Sequence, residues 1–428
     1  MKKTVLLIIT LDTKGPEAFF LKAELERRGV AVLLMNTGIF PSSRGEGDLS
    51  RQEVAQAAGR SLEELLAAND KGAAIGAMMD GAVTLTRNLY GAGKIHGVLS
   101  IGGAQGTIMG TTAMRSLPFG VPKVMLSTMA SGKRPFERYV GTADITLMHS
   151  VVDFFGLNPL LKQVLGNAAA AVAGMVQAEP VAGGKGTRVA ITIYGTTTTA
   201  GTRIVTLMQN RGYEMVAFHP NGAGGQAMEE MIRAGMFDGV MDLTTHELMD
   251  ELAGGEHAAG PARLEAASLM GIPQVVVPGS TDYIVAGKFA ELKRSFRQRK
   301  TMMHNPAMTF VQPSDREMAR LGRIMAAKLN RSRGNTVVMV PMAGFCDPSR
   351  AGRVFHNPAG VEAFVKSLQA HISRSIPVQL LPWHVNDEPF SAAMVEEFEK
   401  LMRAKPAAEH SRSSAATASG NIARAGSS

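Results

Sequence analysis

A single cysteine, Cys346, stands among 428 residues. That excludes an internal disulfide and any zinc cluster of thiolates, and it fits a reducing compartment, so a cytoplasmic protein is expected. Aromatic residues are scarce too, with one Trp and five Tyr. No stretch interleaves them with basic residues in the manner of single-stranded nucleic-acid binders. The net charge of +8 is spread along the chain. It reads as steering for phosphorylated metabolites, and nucleic-acid binding is disfavoured. No apolar run reaches the length of a bilayer span. The start, Met1-Lys2-Lys3 and then Val5 to Ile9, imitates a signal peptide, but Asp12 and Lys14 interrupt it before any cleavage site. A buried first strand is expected there. Gly-x-Ser-x-Gly, His-Glu-x-x-His and the Walker lysine are missing. No catalytic residue and no metal ligand is assigned.

What the chain does contain is a repeated strand–loop–helix pattern. Val5 to Thr10 is apolar and unbroken. A polar loop, Leu11 to Glu17, follows it, and a helix pattern ends at Gly29. This is the signature of a buried parallel strand feeding a helix, with the loop at the strand's carboxyl end, where open α/β sheets bind ligands. Val189 to Gly212 repeats the unit, and without a gap Asp12 falls on Gly195, Thr13 on Thr196 and Gly29 on Gly212. The fold class is therefore α/β, with two Rossmann-like parallel-sheet domains related by an ancient duplication. The expected boundaries are an N-terminal domain over 1–180, a C-terminal domain over 187–404 and a disordered tail over 405–428, with a glycine-rich hinge at 181–186. Further strands are expected at Val30–Asn36, Gly97–Gly102, Lys123–Thr128, Glu214–His219, Gly239–Leu243, Pro273–Pro278, Thr336–Pro341 and Ile376–Leu381. Arg51 to Gly93 reads as two helices, Leu160 to Val176 as one long helix, and Ser314-x-x-Glu317 as a capping box. The 27 methionines sit mostly at helix-core spacing and read as adaptable core filler.

Several expected strands end in Gly, Ser or Thr, a composition that lets backbone N–H groups approach phosphate oxygens. Gly102-Gly103-Ala104-Gln105-Gly106-Thr107 is the best case, because it follows a strand and opens a helix. Ser127, Thr128, Ser131 and Gly132 lie on the neighbouring strand end. Gly195, Thr196, Thr197, Asn221 and Gly222 are similar in the second domain. Asp12, Thr13 and Lys14 occupy the first loop, where a lysine neutralises phosphate charge and an aspartate holds Mg²⁺ through its waters. Asp144, His149 and Asp153 fall on a stretch that reads as partly helical. Their spacing allows acid–base or metal work, with capping and packing as the plainer roles. His304-Asn305-Pro306 and His356-Asn357-Pro358 read as loops.

In combination, Leu11-Asp-Thr-Lys-Gly-Pro-Glu17, Ser100-Ile-Gly-Gly-Ala-Gln-Gly-Thr107, Lys123-Val-Met-Leu-Ser-Thr128 and Gly141 through Asn158 resemble the ATP-binding domain family of the tomato mosaic virus resistance protein. Bacterial members of that family are filed as an uncharacterised protein family. The resemblance continues through Ile193 to Thr199, His219 to Gly222, Pro278 to Asp282 and Pro341 to Gly344, and so spans about residues 3 to 403. It implies ATP with Mg²⁺, held by a two-subdomain α/β protein that dimerises. In the plant protein a barrel similar to phosphoenolpyruvate hydrolases follows. This chain stops before such a domain, so a separate barrel protein is the expected partner. Two functional classes stay open: nucleotide-gated partner or substrate binding, and a small-molecule phosphotransferase or ATP-dependent hydrolase working between the domains. A sugar-phosphate or carboxylate binder is a third.

Overall fold

The structure, a computed structural model, describes residues 2–43, 45–132, 136–179, 184 and 186–404. Arg44, most of the hinge segment and the 405–428 tail lie outside the described residues. The chain divides into two compact units, 1–183 and 184–428.

In the first unit, β1 (Thr4–Ile9), β2 (Ala31–Asn36), β3 (Gly97–Gly102), β4 (Lys123–Ser127) and β5 (Thr146–His149) form a parallel sheet in the order β2-β1-β3-β4-β5. The central strands are buried on both faces, which is why they read as continuous apolar runs. An alternation of apolar and polar side chains is therefore lost, yet the two faces still divide the work. Val5, Leu7 and Ile9 pack with the 11–27 and 159–177 helices, while Leu6 and Ile8 pack with the 51–57 and 71–91 helices. The 159–177 helix has 19 residues and is apolar and long enough to cross a membrane by length and composition, a length the sequence reading denies to every run. Its stripe of Leu161, Leu165, Ala168, Val172 and Val176 is packed in the unit's own core.

Three expectations are corrected here. Residues 142–156 hold β5 and no helix; its side chains are only half-buried, so the apolar signal that marks a central strand is weak. The Leu11–Glu17 loop is helical from Leu11, with a break at Lys14 (φ −134°, ψ 32°). Residues 51–91 form three helices, because Ser50, Ser61 and Asp70 each cap a separate start.

The second unit opens with β6 (Arg188–Thr192), β7 (Glu214–Phe218), β8 (Gly239–Asp242) and β9 (Gln274–Val276). An antiparallel excursion of β10 (Ile284–Ala286), β11 (Thr301–Asn305) and β12 (Met308–Val311) follows, in the order β10-β12-β11. The sequence reading misses all three strands, which are short and lack the long apolar runs of a parallel core. His304 and Asn305 accordingly end a strand instead of forming a loop. The chain returns through β13 (Thr336–Pro341) and β14 (Val378–Leu381) to complete a parallel sheet, β14-β13-β9-β8-β6-β7. From its β7 edge, this sheet repeats the strand order of the first unit and adds one strand, as a duplication would leave it. The capping box at Ser314 and Glu317 is present, and Arg299 clamps the same glutamate at 2.7 Å. Asn357 caps the 358–371 helix by accepting from the Gly360 N–H.

Two glycines of one helix test this packing. A Cβ on Gly81 would overlap the Val54 carbonyl of the crossing 51–57 helix, whereas one on Gly76 meets nothing within 4 Å. Gly76→Ala should stabilise the first unit by up to about 1 kcal/mol through helix propensity. Gly81→Ala should destabilise it by about 1–3 kcal/mol through overpacking. Chemical denaturation of the two variants checks the opposite signs.

Candidate functional site

At the carboxyl ends of β1, β2 and β3 lies a cleft of about 610 Å³. β1 has β2 on one side and β3 on the other, so the chain reverses its winding here, the place where doubly wound sheets bind ligands. One wall is polar: Thr10, Asp12, Thr13, Lys14, Gly103, Gln105 and Gly106. Ile39, Phe40, Leu65, Leu66 and Ala74 supply an apolar wall. The Phe40 ring is 63% exposed, which is unusual for a phenylalanine with a packing role. The Lys14 ammonium lies 5.8 Å from the Phe154 ring centroid, and among the described residues neither Lys14 nor the cleft's Lys71 is paired with a carboxylate. Gly103 stands at the N-cap of the 104–115 helix, and no side chain caps that end. Asp12 accepts from the Phe40 N–H through one oxygen, and its other oxygen is buried without a partner.

Of the remaining sequence candidates of this unit, Gly102, Thr107 and Ser127 support the cleft from behind. A Cβ on Gly102 would collide with Gly106, so that pair serves close strand–helix contact, while a Cβ on Gly103 meets only the Thr128 hydroxyl at 3.7 Å. Thr107 and Ser127 are fully buried and share a 2.5 Å hydrogen bond; Thr107 also donates to the Gly103 carbonyl. Ser131 and Gly132 are exposed and stand outside the cleft lining. Asp144, His149 and Asp153 do not converge. Asp144 pairs with the buried Lys123 at 2.6 Å, His149 approaches the Ser127 carbonyl, and Asp153 accepts from the Phe154 amide.

The second unit arranges its strand ends differently. The Gly222 and Gly225 amides, at the start of the 223–233 helix, both donate to the buried Glu247 carboxylate, at 2.7 and 3.0 Å. Their anion is thus internal. Asn221 caps the Gly224 amide. Thr197 bonds to Thr244, and Thr196 to the Ser280 and Tyr283 hydroxyls. Gly195 is exposed at the head of a short turn. Behind Glu247, Arg263 is fully buried. It grips Asp242 with two nitrogens at 2.6 and 2.8 Å and Glu247 with a third at 2.6 Å. Burial pushes the Glu247 carboxyl above its ordinary range, against the pull of the Arg263 guanidinium and the Gly222 amide.

Beside this network, His246, Asp250 and His257 converge with Tyr194 above them, an assembly absent from the sequence reading. His246 and Asp250 are four apart at the start of the 247–253 helix, which sets them on one face. That spacing is the one sequence signal. His257 comes from the glycine-rich turn that follows. The Tyr194 ring stacks on His246 and on the exposed His219, at 5.3 and 4.8 Å between centroids, and its hydroxyl lies 2.9 Å from His257 Nδ1. For His246, burial lowers the pKa, but the Asp250 carboxylate and the Ser280 carbonyl outweigh it and the net shift is upward. Burial and the neighbouring His246 push His257 down, while burial and the Asp250 and Glu247 carboxylates push Tyr194 up. Ser280, whose carbonyl accepts from His246 Nδ1 at 2.7 Å, holds a left-handed φ of 58°.

Two parallel α/β units, each with polar loops crowning its strands, define a Rossmann-like protein. The Uncharacterised protein family (UPF0261) supplies matches to both parts: its N-terminal domain to residues 3–181 and its C-terminal domain to residues 186–402. A UPF0261 protein of Clostridium tetani is 37% identical over 406 residues, covering 94% of this chain and 100% of its own. One from Rhizobium meliloti is 32% identical over 401 residues, covering 93% and 99%. The ToMV resistance protein Tm-1(GCR237) of Solanum lycopersicum is 35% identical over 314 residues, 71% of this chain but 41% of the tomato protein. The chain belongs to the UPF0261 family, and the resemblance read from its motifs is to that family and its tomato relatives.

Removing the Arg263 charge leaves the buried Asp242 and Glu247 carboxylates without their cation, so Arg263→Met should cost about 3–5 kcal/mol. In the variant burial raises the Glu247 carboxyl with no Arg263 cation to oppose it, so it binds a proton more tightly folded than unfolded and stability falls as pH rises. The deficit against the natural protein should be larger at pH 7 than at pH 5, as urea melts at both values would read.

Proposed function

We propose that the first unit binds ATP with Mg²⁺ in the cleft at the ends of β1 and β3. The observation that carries this reading is the meeting, in one cavity, of an uncapped helix start at Gly103 with two lysines that, among the described residues, lack carboxylate partners. Free amides at a helix N-terminus and unpaired ammonium groups together favour a polyanion. The cavity volume of about 610 Å³ falls within the range of ordinary small-molecule sites. The apolar wall with the exposed Phe40 ring suits a flat base, and the polar wall suits the phosphates.

The residues present fit the metal. Asp12 offers a buried carboxylate oxygen with no partner, a hard donor of the type Mg²⁺ takes when it is held by one carboxylate, phosphates and water. When bound, Mg²⁺ would neutralise phosphate charge. Lys14 and Lys71 would add positive charge at the phosphates, and the Gly103–Gly106 backbone would fix their position. Thr107 and Ser127 hold that backbone in shape from the core side. The Asn221–Gly225 turn is left out of the nucleotide site, because Glu247 already meets its amides.

The phosphotransferase or ATP-dependent hydrolase reading is kept as the second one. It is favoured by Asp12, whose buried oxygen without a partner stands in the same cavity as the two lysines.

Calorimetry with ATP-Mg²⁺ should show binding to the intact chain. Lys14→Ala should weaken it by about 1.5–3 kcal/mol, the loss of a charged hydrogen bond. Gly103→Ala has room in the fold and should weaken it as well, because a Cβ keeps phosphate from the backbone. No heat and no thermal shift with the unmodified chain would remove the nucleotide. Steady ADP formation above about 0.1 s⁻¹, the low side of enzyme rates, would select the second reading over simple binding.

A further inference from the structure

The second unit carries a cluster that the nucleotide reading does not use. His246 is wholly buried, and its Nδ1 donates to the Ser280 carbonyl at 2.7 Å. That bond leaves Nε2 as the nitrogen turned towards the cluster. Nε2 lies 3.4 Å from Asp250 Oδ2, yet it makes no hydrogen bond and is one of the few buried polar atoms left without one among the described residues. Such an atom calls for an explanation. Asp250 is itself fixed, since its oxygens accept the Val285 N–H at 3.0 Å and the His257 N–H at 2.9 Å. Both carboxylate oxygens keep a further lone pair. Among the described residues this is the one group of three potential metal ligands, and their donor atoms lie within 4.8 Å of one another.

We infer that His246, Asp250 and His257 form a site for a divalent transition-metal ion, with zinc the best match, and that this site is independent of the nucleotide cleft. Two imidazoles and one carboxylate select zinc and its neighbours over Mg²⁺. Three protein ligands with room for water or a substrate oxygen are the pattern of zinc sites that do chemistry. The 3.4 Å between His246 Nε2 and Asp250 Oδ2 matches the roughly 3.3 Å edge of a tetrahedron built on zinc–ligand bonds of about 2.0 Å. His257 lies on a turn that begins at Gly254 and Gly255, and its own N–H bond to Asp250 keeps it beside the other two ligands. The Ser280 carbonyl fixes the His246 tautomer and the two amides hold Asp250, as outer groups do around metal ligands. His257 is half-buried and His219 is exposed, so the site opens to solvent on their side.

An ion pair between His246 and Asp250 with no metal is the competing account. Titration of the chelator-treated full chain with Co²⁺, followed by visible absorption, separates the two. One equivalent should bind with the intense d–d bands of low coordination, and Zn²⁺ should displace it. His257→Ala removes a ligand at the half-buried rim, and it should lose at least about 100-fold in affinity, beyond what outer groups alone cause. Its far-UV circular dichroism and metal-free melting temperature should stay those of the natural protein. Asp12→Asn should bind Co²⁺ unchanged, which separates this result from any failure of the nucleotide site. Absence of stoichiometric d–d bands in the natural protein, or equal bands and affinity in His257→Ala, would overturn the assignment.

Discussion

Arg263 is the charge on which the second unit's architecture turns. Fully buried, it faces Asp242 at the end of β8, Glu247 at the start of a helix and Glu229 within another. Each carboxylate is also tied to backbone or hydroxyl: Asp242 to Thr192, Glu247 to Gly222 and Gly225, Glu229 to the amides of Leu264 and Ala266. Such a network adds little net stability over an apolar core of equal volume, because desolvation consumes most of the Coulombic gain. Its consequence is geometric. Any other packing of β6, β8 and these helices strands a charge in the interior, so the ends of the strands have one arrangement. His246 and Asp250 inherit that precision, since they flank Glu247 on the same helix start.

The same strand order serves two different ends in the two units. In both, turns rich in glycine follow the strands and begin helices. The 104–115 helix in the first unit starts without a side-chain cap, and its amides face a cleft lined by lysines. The 223–233 helix in the second unit starts on Glu247. A protein carboxylate there satisfies the helix dipole from within, and the Gly222 and Gly225 amides are taken before any external anion arrives. The two units thus share a scaffold and differ in where negative charge comes from. The second unit carries its polar chemistry on side chains at the β8 and β9 exits.

Much of this fold was legible because parallel strands buried on both faces write themselves as apolar runs; Val5 to Ile9 and Val337 to Val340 are plain examples. Strands that escape that rule escaped notice: β5 is half-buried, and β10, β11 and β12 are three to five residues long. The first cleft was legible in part. Asp12, Thr13, Lys14, Gly103 and Gly106 do line one cavity, but composition alone could not separate them from Thr107 and Ser127, whose hydroxyls turn inward to each other. Glycine is ambiguous for the same reason, since Gly102 is small for packing and Gly103 is open. The histidine assembly draws on residues 194, 246, 250, 257 and 280. Their contacts cross dozens of positions, and only the spacing of His246 and Asp250 leaves a local trace.

Ser280 shows that the second assembly is held against local preference. A serine at φ 58° carries a cost of about 1–2 kcal/mol that glycine would avoid. The position still bears a side chain, and that side chain reaches Thr196 at 2.7 Å while the strained carbonyl orients His246. Its amide, bonded to the Phe345 carbonyl, pins the turn to the segment that follows the neighbouring strand β13. A turn needed only to connect β9 to β10 could relax by rotating that peptide. Rotation would turn the carbonyl away from His246 Nδ1 and free the ring to change tautomer. The strain is therefore coupled to the presentation of a single imidazole nitrogen, which is what a preorganised chemical site requires and a structural turn does not.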